Sequence, residues 1–212
     1  MLVGKRMTKD PKTVSPDDTL TRAADIMRES RINHLPVVEA GKLVGILSDT
    51  DIRNVSLPGG ATPAGGAPLQ KVRLVREAMK TEVWSLTPED SVEDALLIIS
   101  RQKFGALPVL SGERLVGVIT KIDLLNAFVD VLGLEEVGLR IEVFLSPDLD
   151  RFEELIRILK GIRAGIRSCI ITQEKGDQRM VALFQLDTID GPGVLQALRA
   201  ERFEVLGKTD FA

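Results

Sequence analysis

The chain has 212 residues, enough for one to two domains at about 150 residues each and enough to bury a core without disulfide staples. Apolar residues make up 44% and charged residues 28%, which excludes a disordered or fibrous chain, and a net charge of −3 leaves no electrostatic footprint for nucleic acid or an anionic membrane. One cysteine, Cys169, and one histidine, His34, exclude a disulfide framework and a Cys/His metal site built within one chain.

Apolar runs such as Leu43 to Leu47 and Ala95 to Ile99 fall far short of the roughly 20 residues a membrane span needs. Met1 to Asp10 carries Lys5, Arg6, Lys9 and Asp10 with no apolar stretch behind them, so no secretory signal is expected and the expected address is cytoplasmic.

An internal repeat comes next. Set without a gap, Met7 to Ile52 aligns with Met79 to Leu124 at an offset of 72, with 12 of 46 positions identical, among them Pro16/Pro88, Pro36/Pro108, Gly45/Gly117 and Asp51/Asp123. Two copies are too few for a solenoid, so the pair is expected to close on itself about a pseudo-twofold axis. Each copy predicts a leading strand at Thr13-Val14 or Ser85-Leu86. A helix follows a Thr19 or Ser91 cap, with Leu20, Ala23, Ala24 and Met27, or Val92, Ala95, Leu96 and Ile99, on one face. A hairpin then joins Leu35–Glu39 to Leu43–Leu47, or Leu107–Leu110 to Leu115–Ile119, and a last helix opens at Ser48 or Thr120.

Pro58 to Pro68, all Pro, Gly and Ala but for one Thr, reads as a flexible loop, and Lys71, Arg73 and Arg76 after it as the wet side of a connecting helix. From Gly138 the repeat stops. Strand Arg140–Ser146, helix Leu149–Gly161, hairpin Ile166–Thr172 with Arg179–Asp187, helix Gly193–Glu201 and strand Phe203–Thr209 form a βαββαβ, ferredoxin-like order. The expected organisation is an α/β (α+β) chain of repeat one at 1–78, repeat two at 79–134 and a third domain at 138–212.

Two constellations could carry chemistry. In Gly45 to Asp51 and Gly117 to Asp123, an apolar strand ends in Ser48 or Thr120 and an aspartate follows three residues later. This is a helix capping box, and it also sets a hydroxyl and a carboxylate at a helix N-terminus, where they suit a ribose and an anion. Aspartate is shorter than the usual Glu or Gln of the box, so it is expected to reach back to the cap less readily and to project outward. In Ile32 to Val38 and Phe104 to Leu110, a proline at each strand start withholds an N–H, as beside a cleft, and the apolar wall suits a planar base.

Together these residues resemble tandem cystathionine-β-synthase (CBS) domains, the Bateman module, over about Met7 to Val131. The resemblance implies an adenosine-containing ligand (AMP, ADP, ATP, NAD or S-adenosylmethionine) in each of two clefts between the repeats, and no metal. By position it implies Ser48 and Asp51 on one ribose and Thr120 and Asp123 on the other. Val14 and Pro36, or Leu86 and Pro108, flank the base, and Arg53, Asn33 or His34 meets a phosphate. The second copy has Phe104, Gly105, Ala106 and Leu125 in place of Ile32, Asn33, His34 and Arg53, so its cleft is expected to hold phosphate less tightly.

The C-terminal part is similar in pattern to an ACT domain, a module that commonly binds amino acids and dimerises. The Asp-x-Pro-Gly turn of amino-acid-binding members is replaced after the first strand by Ser146-Pro147-Asp148-Leu149-Asp150, while Asp190-Gly191-Pro192-Gly193 precedes the second helix. A CBS pair with an ACT-like domain resembles the acetoin-utilisation B-type proteins, small regulators.

Catalysis has little to rest on: there is no tyrosine and no second histidine, and Cys169 sits in an apolar strand where a thiol is inert. The expected function is a non-catalytic nucleotide sensor that passes its state to the ACT-like domain or to a regulated enzyme or transporter. A ligand-free dimeric scaffold, or an amino-acid sensor through the C-terminal domain, is the alternative. A homodimer is expected through apolar helix faces at Leu124–Val131 and Leu155–Ile162.

Overall fold

The computed structural model describes residues 1–56, 73–146, 148–173 and 179–208, and the chain divides into two compact units, Met1–Leu125 and Asn126–Ala212. The segment from Pro58 to Pro68 and Lys71 lie outside the described residues.

The first unit is built twice. Strand β1 (Thr8–Lys9), helix α1 (Leu20–Ser30), strands β2 (His34–Glu39) and β3 (Lys42–Ser48) and helix α2 (Asp49–Ser56) are followed by α3 (Val92–Gln102), β4 (Ala106–Ser111), β5 (Arg114–Thr120) and α4 (Lys121–Leu132). The caps act as their residue types require. Thr19 Oγ1 accepts from the Arg22 N–H at 3.1 Å and Ser91 Oγ from the Asp94 N–H at 3.0 Å. Leu20, Ala23 and Met27, with Val92, Ala95 and Ile99, form the buried helix stripes. The β2–β3 turn needs two left-handed residues, and Ala40 (φ 49°) and Gly41 (φ 82°) supply them.

The leading segments are single parallel bridges rather than two-residue strands, Val14 to Val37 and Leu86 to Val109. Val14 N–H donates to the Pro36 carbonyl at 3.2 Å and Leu86 N–H to the Pro108 carbonyl at 3.0 Å. Each proline is therefore flanked by its hairpin partner and by the leading segment, instead of standing at an open edge. Arg76 lies on a short 3-10 turn, Val75–Glu77, and Arg73 in irregular chain, so the expected connecting helix is not formed there.

The two copies close on each other by exchanging their first segments. Thr8 and Lys9 pair with Val118 and Gly117 of the second copy, and Lys80 pairs with Ile46 of the first. The 3-10 turns in front of them do the same. Val3 N–H donates to the Asp90 carbonyl and Val75 N–H to the Asp18 carbonyl, both at 2.9 Å, and the fully buried Val75 sits among Val14, Leu20, Met27, Leu35 and Leu47 of the first copy. The repeat thus extends back beyond Met7 and Met79, to Leu2-Val3 and Leu74-Val75.

Two glycines make the crossing possible. A Cβ on Gly45 would lie 2.9 Å from the Lys80 carbonyl oxygen, and one on Gly117 would lie 2.4 Å from Met7 Sδ and 3.0 Å from the Thr8 carbonyl oxygen. Gly45→Ala is expected to push the Lys80 segment off β3 and to cost about 1–3 kcal/mol, read as a lowered urea midpoint. An unchanged midpoint would contradict the close approach.

The second unit is a βαββαβ fold: β6 (Leu139–Leu145), α5 (Leu149–Gly161), β7 (Gly165–Gln173), β8 (Met180–Asp187), α6 (Gly191–Ala200) and β9 (Glu204–Lys208). The strands form one antiparallel sheet in the order β7-β8-β6-β9, the ferredoxin-like arrangement. Strand β6 alternates, with Leu139, Ile141, Val143 and Leu145 inward, and packs with Phe184, Leu155, Leu159, Val194 and Leu198. Because Leu155 and Leu159 are core, α5 does not offer the free apolar face expected at Leu155–Ile162; of those residues the large apolar one left exposed is Ile162. Asp190 caps α6 by accepting from the Gly193 N–H at 2.9 Å. Cys169 on edge strand β7 is exposed, not enclosed by its apolar neighbours, and partial desolvation holds its thiol pKa above the ordinary value.

Candidate functional site

The doubled Ser/Thr-x-x-Asp motif sits where the sequence places it, at the junction of β3 with α2 and of β5 with α4. Each forms a complete capping box. Asp51 Oδ2 accepts from the Ser48 N–H at 2.9 Å and from the Ser48 hydroxyl, while the Asp51 N–H donates to Ser48 Oγ at 3.2 Å. Asp123 Oδ2 accepts from the Thr120 N–H at 2.8 Å and from its hydroxyl at 2.7 Å, and the Asp123 N–H donates to Thr120 Oγ1 at 3.2 Å. The expectation that a short aspartate projects outward is thereby corrected. An aspartate three residues on is long enough to reach back, as Asp18 and Asp90 also do to the Ser15 and Thr87 N–H groups.

Capping consumes one carboxylate oxygen and leaves the other to act. Asp51 Oδ1 lies 3.6 Å from Lys80 Nζ, with the Asp51 side chain 14% and the Lys80 side chain 66% exposed. Lys80 was not among the expected site residues. It arrives on the exchanged segment of the second copy, and only the offset pairing of Met7-Thr8 with Met79-Lys80 hinted at its place.

His34, opposite Ser48 in the β2–β3 ladder, is half-buried and reaches into the second copy. A Cβ on Gly105 would lie 2.2 Å from its Nε2 and 2.4 Å from its Cε1. Burial lowers its pKa below the ordinary 6.5; Asp49 and Asp51 oppose that shift, and Lys121 and Lys80 add to it. The folded state therefore holds a neutral imidazole. Below 6.5 the unfolded chain binds a proton that the folded chain does not, so His34's contribution to stability is present above 6.5 and is lost as pH falls through the lowered value. The melting midpoint is expected to drop between about pH 7.5 and about pH 5.5, and to drop less in His34→Gln. Equal drops in both proteins would contradict this.

The remaining expected residues fall into two groups. Asn33 is exposed, and its carbonyl accepts from the Asp49 N–H at 3.0 Å. Val14 and Leu86 are buried at 3% and 5% exposure, and Pro36 and Pro108 are buried too, so little side-chain surface of these four remains to flank a base. Arg53 does not stand over the box. Its guanidinium pairs with Asp49 one turn back and donates to Thr50 Oγ1 at 3.0 Å. Around the second box the matching positions hold Ala106 for His34, Gly105 for Asn33, Leu125 for Arg53 and Thr8 for Lys80.

A cavity of about 490 Å³ opens beside Leu96, Ile99, Lys103 and Lys121, at the first turn of α4, and one of about 910 Å³ beside Arg140, Gln185 and Pro192. Among the described residues no group of acidic, His or Cys side chains could hold a metal ion, and no helix is long and apolar enough to cross a membrane.

Comparison with known proteins agrees with the doubled architecture. A CBS protein of Bacillus subtilis, YhcV, is 36% identical over 118 residues, which span 56% of this chain and 79% of that one. An inosine-5'-monophosphate dehydrogenase of Korarchaeum cryptofilum is 34% identical over 154 residues, but the match spans only 29% of that enzyme. Among solved structures, a putative acetoin utilization protein (AcuB) from Vibrio cholerae superposes with a TM-score of 0.54 at 30% identity, over 64% of this chain and 96% of that one. The CBS domain pair of protein MJ0100, in complex with 5'-methylthioadenosine and S-adenosyl-L-methionine, superposes with a TM-score of 0.52 at 28% identity, over 60% of this chain and 95% of that one. The CBS-domain family model matches residues 3–57 and 75–130, boundaries that start at the two exchanged 3-10 turns, and with more than half the residues so matched the chain belongs to the CBS-domain family, as a tandem pair.

Proposed function

We propose that the chain is a regulatory sensor that holds an adenosine-containing ligand in each of two clefts. The observation that carries this reading is the doubled box: each carboxylate is fixed by Oδ2 to its own cap, and in the first cleft Oδ1 of Asp51 is left to meet a ribose. Ser48 and Asp51 hold the ribose in the first cleft, Thr120 and Asp123 in the second. The ligands of the MJ0100 pair, both adenosine derivatives, support this class of ligand. The likeness to the Vibrio protein supports acetoin utilisation as the setting.

The βαββαβ unit is read as an ACT-like domain that receives or transmits the ligand state. A cytoplasmic homodimer is the working form, with the exposed Ile122, Leu125 and Val131 of α4 as its apolar contact. Light scattering is expected to give twice the 23.2 kDa chain mass, and the monomer mass at micromolar concentration would contradict the dimer.

The test of the sensor is a thermal melt with AMP, ADP, ATP, NAD, S-adenosylmethionine and 5'-methylthioadenosine. A ligand at about 100 times its Kd adds roughly 2.7 kcal/mol, a rise of several degrees for a chain of this size. No shift with any of them at millimolar concentration would leave the ligand-free scaffold as the reading.

A further inference from the structure

We infer that Lys80 makes the first cleft selective for adenine nucleotides carrying a 5'-phosphate, whereas the second cleft takes uncharged adenosine derivatives equally well. The inference rests on the ribose reading of Asp51 and concerns what lies beside it. The Lys80 ammonium is the counter-ion of Asp51 Oδ1, 3.6 Å away. A ribose that takes Oδ1 as acceptor displaces the ammonium from that oxygen. A ligand that brings its own anion offers the displaced charge a new partner, and an uncharged ligand offers none.

The lysine is long and two-thirds exposed, and its backbone is anchored by the paired hydrogen bonds between Ile46 and Lys80, both 2.9 Å. Its head group can therefore move from Asp51 to a neighbouring phosphate without disturbing the fold. Lys121 is a second cation near His34, but the ammonium set on Asp51 Oδ1 is that of Lys80. The neutral imidazole of His34 carries no charge, Arg53 is held by Asp49, and the Asp49 carboxylate repels an anion unless a cation intervenes.

The pseudo-twofold provides the comparison inside one molecule. Thr8 occupies the position of Lys80 and pairs with Val118 as Lys80 pairs with Ile46. Asp123 keeps the same box, and the exchanged segment sets Thr8 where Lys80 stands beside the first box. The two clefts share the ribose clamp and differ in the charge set beside it.

The experiment is calorimetric titration of AMP and of adenosine into the wild type, Lys80→Gln and Thr8→Lys, with folding of each variant checked by melting. In the first cleft Lys80→Gln is expected to weaken AMP about tenfold and to leave adenosine within about twofold, because only AMP loses a charge-assisted partner. Thr8→Lys, followed in an Asp51→Asn background so that the second cleft is read alone, is expected to raise the preference for AMP over adenosine by a similar factor. Equal effects of Lys80→Gln on AMP and adenosine, or no gain of preference in Thr8→Lys, would overturn the inference while leaving the sensor reading intact. Failure of both ligands to bind the wild type would overturn both.

Discussion

Asp51→Asn is expected to weaken adenine-nucleotide binding in the first cleft by about tenfold to 150-fold while shifting the melting midpoint by no more than about 2–4 °C. The box explains the small structural effect. Asparagine keeps one carbonyl oxygen, which takes over the two bonds that Asp51 Oδ2 accepts from the Ser48 N–H and hydroxyl. The loss of cap strength is then below about 1 kcal/mol, worth about 2–4 °C in a chain of this size. The cleft-facing atom changes completely, since an N–H₂ replaces Oδ1 beside Lys80 and the ribose meets a donor where it needs an acceptor. Charge-assisted hydrogen bonds are worth about 1.5–3 kcal/mol, which gives the stated loss of affinity. A variant that melts normally and binds normally would show that Asp51 is a helix cap only.

Phe184→Ala is expected to cost the second unit about 3–5 kcal/mol, a large part of the 5–15 kcal/mol by which domains are ordinarily stable. Phe184 is 1% exposed, and it packs on β8 with Ile141, Leu155, Leu159 and Leu198 from β6 and both helices. No single neighbour can fill the space that its ring leaves. Urea unfolding followed by far-UV circular dichroism measures the loss, and Ile171→Ala on edge strand β7, where the side chain is 42% exposed, is the control expected to change little. A loss below about 1 kcal/mol for Phe184→Ala would contradict the packing described for this core.

Much of this was legible because its signals are local. The caps at Thr19, Ser91, Ser48 and Thr120, the hairpins and the alternation of β6 are each written within a few residues of where they act. The offset of 72 carried the pseudo-symmetry directly. What escaped was non-local. A two-residue strand such as Thr8-Lys9 has no periodicity to read, and its partner Val118 lies over a hundred positions away. Lys80 was missed for the same reason, since its own repeat is not the one it serves. The pairing of Arg53 with Asp49 one turn before it, an ordinary i,i+4 contact that sets the guanidinium along the helix, was legible and not weighed. Val14 and Leu86 were expected to line a cleft, yet a leading segment that bridges β2 or β4 turns its side chain into the repeat's core.

The most direct test of the sensor reading is a calorimetric titration of AMP into the wild-type chain beside Asp51→Asn and the double variant Asp51→Asn/Asp123→Asn. Two unequal classes of site are expected in the wild type, the tighter class weakened at least about tenfold in the single variant and both classes weakened by that much in the double variant. Titrations that are indistinguishable across the three proteins, or a wild type that takes up no AMP or other adenosine compound, would contradict ribose capture by the two boxes.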